Sequence, residues 1–277
     1  MKARVPNRAA FGLAFAVLAF AGAAFAEDAS PWQQDAHSAV RLLAGSRSGG
    51  VLLGGIAIQL APGWKTYWRM PGDSGVPPRF DFAKSDNIES VTVLWPAPMK
   101  FDDGAGGFSL GYKKQVVLPL RIVAKNSDKP VTLRAHISYA VCDKLCIPAE
   151  ASSELTFASV ASTEDGNLAA ALDTVPKPAN VGDPIPVTLR DIRREGERNV
   201  VVDVSAPEAR EVSLFVEGPT ADWALPIPKL VESNSPGVKR FVFELDGLPP
   251  GAKADGAMLK LTLVGGERAY EFTATLN

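Results

Sequence analysis

From Val131 to Cys142 the chain reads VTLRAHISYAVC, and its side chains alternate. Val131, Leu133, Ala135, Ile137, Tyr139 and Val141 form one apolar face, while Thr132, Arg134, His136, Ser138 and Ala140 form a more polar one. A two-residue period predicts a β-strand with one face in a core; a helix, whose side chains repeat every 3.6 residues, cannot use it. The pattern recurs near Val51, where Ile56, Ile58 and Leu60 oppose Ala57, Gln59 and Ala61. Strands are expected over 39–44, from 51 onward, and over 88–95, 115–123, 131–142 and 154–160, then over 185–192, 199–205, 211–217, 238–245, 258–264 and 268–276. The later ones recur about every ten residues, the spacing of a β-sandwich. The turns between them draw on 24 glycines and 22 prolines. The fold class is therefore all-β. The length of 277 residues fits one or two domains.

A short helix is expected over 163–175, with Leu168 and Leu172 four apart, followed by Pro176, Pro178, Pro184 and Pro186. This punctuation divides the chain into a first sandwich over 27–162, a linker over 163–184 and a second sandwich over 185–277. Two long connections interrupt the first part. Pro62–Pro78 carries Trp64, Tyr67 and Trp68, and the glycine-rich Pro96–Gly111 carries Phe101 and Phe108. Connections of this length often carry function.

Residues 1–26 read as an export signal. Lys2, Arg4 and Arg8 precede the apolar run FGLAFAVLAF, and Ala24-Phe25-Ala26 forms a small-x-small cleavage site. The run is shorter than the ~18–20 apolar residues of a membrane span. Cleavage after Ala26 would leave about 251 residues in a thiol-oxidising space outside the cytoplasm. The whole chain has 29 basic and 31 acidic residues; removing the leader's three cations leaves 26 against 31. No basic stripe remains, so nucleic acid is not an expected partner. Two histidines, His37 and His136, exclude a multi-histidine metal site.

The two cysteines stand at Cys142 and Cys146 in YAVCDKLCIP, and three readings compete. A structural disulfide would close only five residues, worth about 2 kcal/mol of chain entropy, little for a chain with two cores. Metal binding would leave zinc short of four ligands; a soft ion such as Cu(I) accepts two thiolates. A redox dithiol suits closely spaced cysteines, because the second thiol resolves a mixed disulfide formed by the first. The alternation continues Cys142 onto the polar face, which predicts a sulfur outside the core that a partner can reach; a merely structural cysteine is more often buried. His136 shares that face, but six residues along a strand is roughly 20 Å, too far for a local base. Lys144 favours a thiolate and Asp143 opposes it. Ser74, in Asp73-Ser74-Gly75, lacks the Gly-x-Ser-x-Gly elbow of a serine nucleophile. The aromatic loops serve either as core anchors or as walls and lid around the sulfur pair.

Taken together, GWKTYWRMPGDSG over 63–75, Trp95-Pro-Ala-Pro98, Gly111-Tyr112, Leu118-Pro119 and Tyr139-Ala-Val-Cys142-x-x-x-Cys146-Ile-Pro148 resemble the N-terminal periplasmic domain of the DsbD/ScsB thiol reductant transporters. The resemblance covers roughly residues 37–160. It implies an immunoglobulin-like sandwich, and with residues 185–277 a tandem pair. It further implies that Cys142 and Cys146 are redox-active, with Cys146 the attacking sulfur, and that an aromatic cap lies in the Phe101–Tyr112 region. Phe101, Phe108, Tyr112 and Trp68 are the candidate cap and wall residues. The implied partners are a membrane-embedded thiol reductant acting in trans and disulfide-containing proteins of the periplasm, with no cofactor and no resident metal. Cytochrome c maturation and copper tolerance are the processes such a chain would serve. The three-residue spacer is more similar to the ScsB branch than to DsbD. The alternative from another class is a non-catalytic binding or accessory module with a structural disulfide, or a Cu(I)-handling protein.

Overall fold

The computed structural model describes residues 27–47, 49–104 and 106–276. The expected export signal over 1–26 lies outside the described residues. The first part builds β1 (Gln33–Gln34), β2 (Ser38–Ala44), β3 (Val51–Leu60), β4 (Lys65–Gly72), β5 (Arg79–Asp81), β6 (Ile88–Val93), β7 (Met99–Asp102), β8 (Phe108–Lys113), β9 (Gln115–Ala124), β10 (Val131–Cys142) and β11 (Cys146–Phe157). The helix α1 (Asp165–Asp173) follows. The second part holds β12 (Lys177–Ala179), β13 (Thr188–Glu195), β14 (Asn199–Ser205), β15 (Ser213–Glu217), β16 (Lys229–Val231), β17 (Val238–Glu244), β18 (Met258–Val264) and β19 (Ala269–Thr275). The chain is thus nearly all β. Among the described residues no helix is long and apolar enough to cross a membrane.

Each part pairs two sheets over one core. In the first, the sheet β1-β2-β3-β9-β6 faces the sheet β11-β10-β4-β8-β7, with β5 added to β10. The apolar face of β10 is buried as its alternation predicts. Val131, Leu133, Ile137, Tyr139 and Val141 share a core with Leu42, Ile56, Ile58, Leu118 and Leu120 of the opposite sheet. Burying each such side chain contributes about 1.5–3 kcal/mol relative to leaving it in water. In the second part, β12-β19-β18-β15 covers β13-β14-β17-β16. Val200, Val202, Val204, Phe241 and Phe243 meet Leu259, Leu261, Leu263 and Phe272 there. The helix docks on the first part through Leu168, which packs on Leu43 and Ala57, while Leu172 stays exposed. β12 joins the second part by pairing parallel to β19.

The two parts are joined through β4. Trp68 packs against Phe215 with ring centroids 6.0 Å apart, and Phe215 and Ile227 complete the first core. Arg69 clamps Glu217 (2.7 Å) and Glu271 (2.5 Å) of the second part.

Besides the short strands β1, β5, β12 and β16, which no pattern announced, and β13, which runs three residues later than expected, the structure differs from the sequence reading most at three places. The expected loop over 62–78 contains β4, because Thr66 and Trp68 turn to the core while Tyr67 turns away; its only internal proline, Pro71, falls where the register with β8 shifts. The expected loop over 96–111 is the β7–β8 hairpin. Gly111 sits inside it because a side chain there would run into the Thr66 carbonyl. β11 begins at Cys146 rather than near 154: it is the sheet's edge strand, where Pro148 removes no needed ladder hydrogen bond.

Candidate functional site

β10 and β11 form an unbroken antiparallel ladder from Val131↔Phe157 to Cys142↔Cys146. The last pair, with Cα atoms 4.2 Å apart, is joined by a disulfide across the hairpin end. Asp143, Lys144 and Leu145 make the exposed turn between them. On its other side β10 pairs with β4, Val141 opposite Thr66 and Cys142 opposite Lys65. Side chains two apart on a strand share a face, so Tyr67 leans over the bridge. Its hydroxyl donates to Cys142 Sγ at 2.9 Å and lies 3.1 Å from Cys146 Sγ. Burial raises the Tyr67 pKa above the ordinary phenol value, so the hydroxyl keeps its proton. Gly75, at φ +137°, lays the following loop against the Tyr67 ring, where any Cβ would collide.

The two sulfurs are unequal. Cys142 is 1% exposed and forms a small cluster with Tyr67 and Ala140, separate from the main core. Cys146 is exposed, and its neighbours Leu145 and Ile147 are 78% and 39% exposed. The strand parity therefore placed Cys142 on the correct face, away from the main core. The inference that its sulfur is open to a partner is corrected: Tyr67 and the Gly75 loop cover that face, and the reachable sulfur is that of Cys146.

The candidate wall residues separate between the two faces. Phe101 lies on the outer face with Tyr67, through the register Met99↔Gly111↔Tyr67. It is buried, with Lys113 Nζ 4.5 Å and Lys65 Nζ 5.6 Å from its ring centroid. Trp68, fully buried, and Tyr112, whose hydroxyl donates to the Pro96 carbonyl at 2.8 Å, belong to the main core on the opposite face. Phe108 packs on that core, with Lys100 Nζ 4.4 Å from its centroid. His136 is exposed and bonds to Ser152; His37 stacks on Trp64 at 3.7 Å; Ser74 donates to Asp103 at 3.3 Å. The aromatic that touches the sulfurs is thus Tyr67, beside the Trp68 singled out from sequence. Reading Thr66-Tyr67-Trp68 as a strand, in which only one of the two rings can face the core, is the signal that finds it. Among the described residues no group of three or more His, Cys, Asp or Glu is placed to hold a metal ion.

The site is thus a disulfide at the end of a hairpin in a two-sheet β unit, with one sulfur buried under a phenol and the other exposed. Residues 36–158 match the family described as thiol:disulfide interchange protein DsbD, N-terminal, and this part of the chain is a domain of that family. Among solved structures, the N-terminal periplasmic domain of ScsB from Proteus mirabilis is similar over 91% of this chain and 99% of that one, with a TM-score of 0.72 and 22% identity. It shows the same fold across both parts. A conserved domain protein from Bacillus anthracis is aligned over 84% of this chain and 75% of that one, at a TM-score of 0.24 and 10% identity. No curated protein matches the chain.

Proposed function

We propose that this chain is a periplasmic thiol–disulfide exchange protein that passes reducing equivalents from a membrane thiol reductant to periplasmic disulfide proteins through Cys142 and Cys146. Its two-sheet units are read as tandem immunoglobulin-like sandwiches, the first carrying the chemistry and the second positioning it. The observation that carries the reading is the asymmetry of the sulfurs. Disulfide exchange needs one sulfur open to in-line attack and a leaving thiolate that is stabilised. In the oxidised protein a partner thiolate attacks Cys146 Sγ. The Cys142–Cys146 bond breaks, and Cys142 leaves as a thiolate beneath the Tyr67 hydroxyl. The partner's second thiolate then attacks the mixed disulfide at the partner's own sulfur, releasing Cys146 and leaving the partner oxidised. In the forward half, the Cys146 thiolate attacks a substrate disulfide and Cys142 resolves the mixed bond, so the substrate gains two electrons and the bridge re-forms. Phe101 and Tyr67 are the aromatic wall of the site.

Single-cysteine variants test this in a periplasmic extract. Cys142→Ala, with its open Cys146 thiol, is expected to accumulate mixed disulfides with partner proteins, while Cys146→Ala accumulates few. Equal trapping by both variants would refute the assignment of the attacking sulfur; trapping by neither would refute exchange.

A further inference from the structure

The cross-strand register continues past the disulfide. Cys146 pairs with Cys142, Cys142 with Lys65, and Lys65 with Lys113. Directly paired residues on adjacent antiparallel strands point to the same side, with Cβ atoms about 4.5–5.5 Å apart. Four neighbouring strands therefore present one row on the outer face: sulfur, sulfur, ammonium, ammonium. The two ammoniums are held in place rather than free. Both sit over the Phe101 ring, at 4.5 and 5.6 Å, and Lys65 Nζ also donates to Ser109 Oγ at 3.1 Å. Among the described residues neither forms an ion pair with a carboxylate. A cation–π seat fixes a charge without neutralising it. Charged neighbours at this end include Asp143 and Lys144 in the turn and the exposed Lys114 next to Lys113; burial keeps the proton on Tyr67, the titratable group against the sulfurs.

We propose that Lys65 and Lys113 select exchange partners whose reactive disulfide is flanked by carboxylates, the partner lying across the row with its sulfur on Cys146 and its acidic residues over the ammoniums. This rests on the exchange reading above and names the chemistry of the partner. The exposed Leu145 in the turn borders Cys146 on the side away from the row, so a docked partner is oriented by an apolar side chain on one side and a cationic edge on the other. Unpaired rim charges act chiefly on encounter and on discrimination, and their effect is screened by salt.

The test uses the reduced full chain and three short symmetric disulfide peptides, in which the cysteine is flanked by Glu, by Lys or by Ser. The Cys146 thiolate attacks a peptide sulfur and one peptide thiolate leaves. Cys142 then resolves the mixed disulfide and the second leaves. At low ionic strength the Glu peptide is expected to react about tenfold faster than the Lys peptide, a modest value for electrostatic steering. Lys65→Gln with Lys113→Gln should bring this ratio close to one, as should high salt. Lys125→Gln with Lys129→Gln, an equal charge change at an exposed turn away from the row, should leave it in place. Any shift in thiolate population caused by the substitutions enters all three peptide rates equally and cancels in the ratio. A ratio near one in the parent protein, or one unchanged in the Lys65/Lys113 variant, overturns the selection. No reaction with any of the peptides, after the bridge has been opened, overturns the exchange reading and the inference with it.

Discussion

Replacing Tyr67 with Phe removes one hydrogen-bond donor and little else, since the ring remains wedged between Gly75 and the disulfide. In the oxidised protein the phenol faces a neutral sulfur, a weak acceptor. Once the bridge opens it faces a thiolate. Hydrogen bonds to charged groups contribute about 1.5–3 kcal/mol against about 1 for neutral pairs. The excess, about 0.5–2 kcal/mol, therefore stabilises the Cys142 thiolate over the disulfide. At 1.36 kcal/mol per pKa unit this raises the Cys142 thiol pKa by about one unit in Tyr67→Phe. A leaving thiol of higher pKa departs more slowly, so reduction of the bridge by a small dithiol should slow, by less than the about tenfold that one pKa unit sets. The assay compares the ultraviolet thiolate absorbance of Cys146→Ser, with and without Tyr67→Phe, as a function of pH, alongside the reduction rate of the two-cysteine protein. An unchanged or lowered Cys142 pKa in the Tyr67→Phe background would refute the assigned role of the phenol.

Gly75→Ala places a methyl in the Tyr67 ring at a φ of +137°; such a backbone costs about 1–3 kcal/mol for a residue other than glycine, so the urea midpoint should fall and Cys142 should become open to alkylation after reduction. Arg69→Met strands Glu217 at the junction and leaves Glu271 only Lys260, 3.6 Å away; breaking this half-buried network should cost less than the about 3–5 kcal/mol of a fully buried pair, and calorimetry should show the unfolding of the two parts drawn further apart. Desolvation raises the phenol pKa of Tyr67, Tyr112 and Tyr139. The unfolded chain thus releases these protons first, and the stability they contribute is complete below about pH 10 and lost as the pH rises through the folded-state values. Denaturant midpoints measured across that range should fall, and a flat profile would contradict the burial of the three hydroxyls.

Where apolar residues alternate without interruption, the strands were legible from sequence: β10, β14 and β18 run over 131–142, 199–205 and 258–264 as their patterns predict. Where glycine and proline crowd a strand, the pattern was masked. In β4 only the Thr66-Tyr67-Trp68 core of the strand is regular, and Pro71-Gly72 lies at its frayed end. In β8, Gly111 is placed by the close approach of β4 rather than by any local preference. The cysteine pair and the face it occupies could be read from parity. What covers that face could not, because Tyr67 reaches Cys142 across 75 residues of sequence. Parity tells inside from outside for one sheet; it does not tell solvent from a second layer of chain.

The covering also favours the proposed exchange over a simple staple. A staple gains from burying both sulfurs and from closing a long loop. This bridge closes the shortest loop available to its hairpin, whose strands are already held by a continuous ladder from Val131↔Phe157 onward, and it leaves Cys146 in solvent. The Tyr67 hydroxyl reaches both sulfurs, yet only Cys142 is buried beneath it. Tyr67 gives Cys142 a donor, Gly75 gives Tyr67 a backbone to lean on, and β4 carries Trp68 and Arg69 into the second part. A single strand therefore links Cys142 to the junction between the two parts. If the proposed exchange holds, the second part, which holds no cysteine, should bear on it through the placement of β4: loosening the Arg69 clamp should change the rate at which the bridge is reduced as well as the stability of the fold, whereas a bridge that only pinned its hairpin would respond in stability alone.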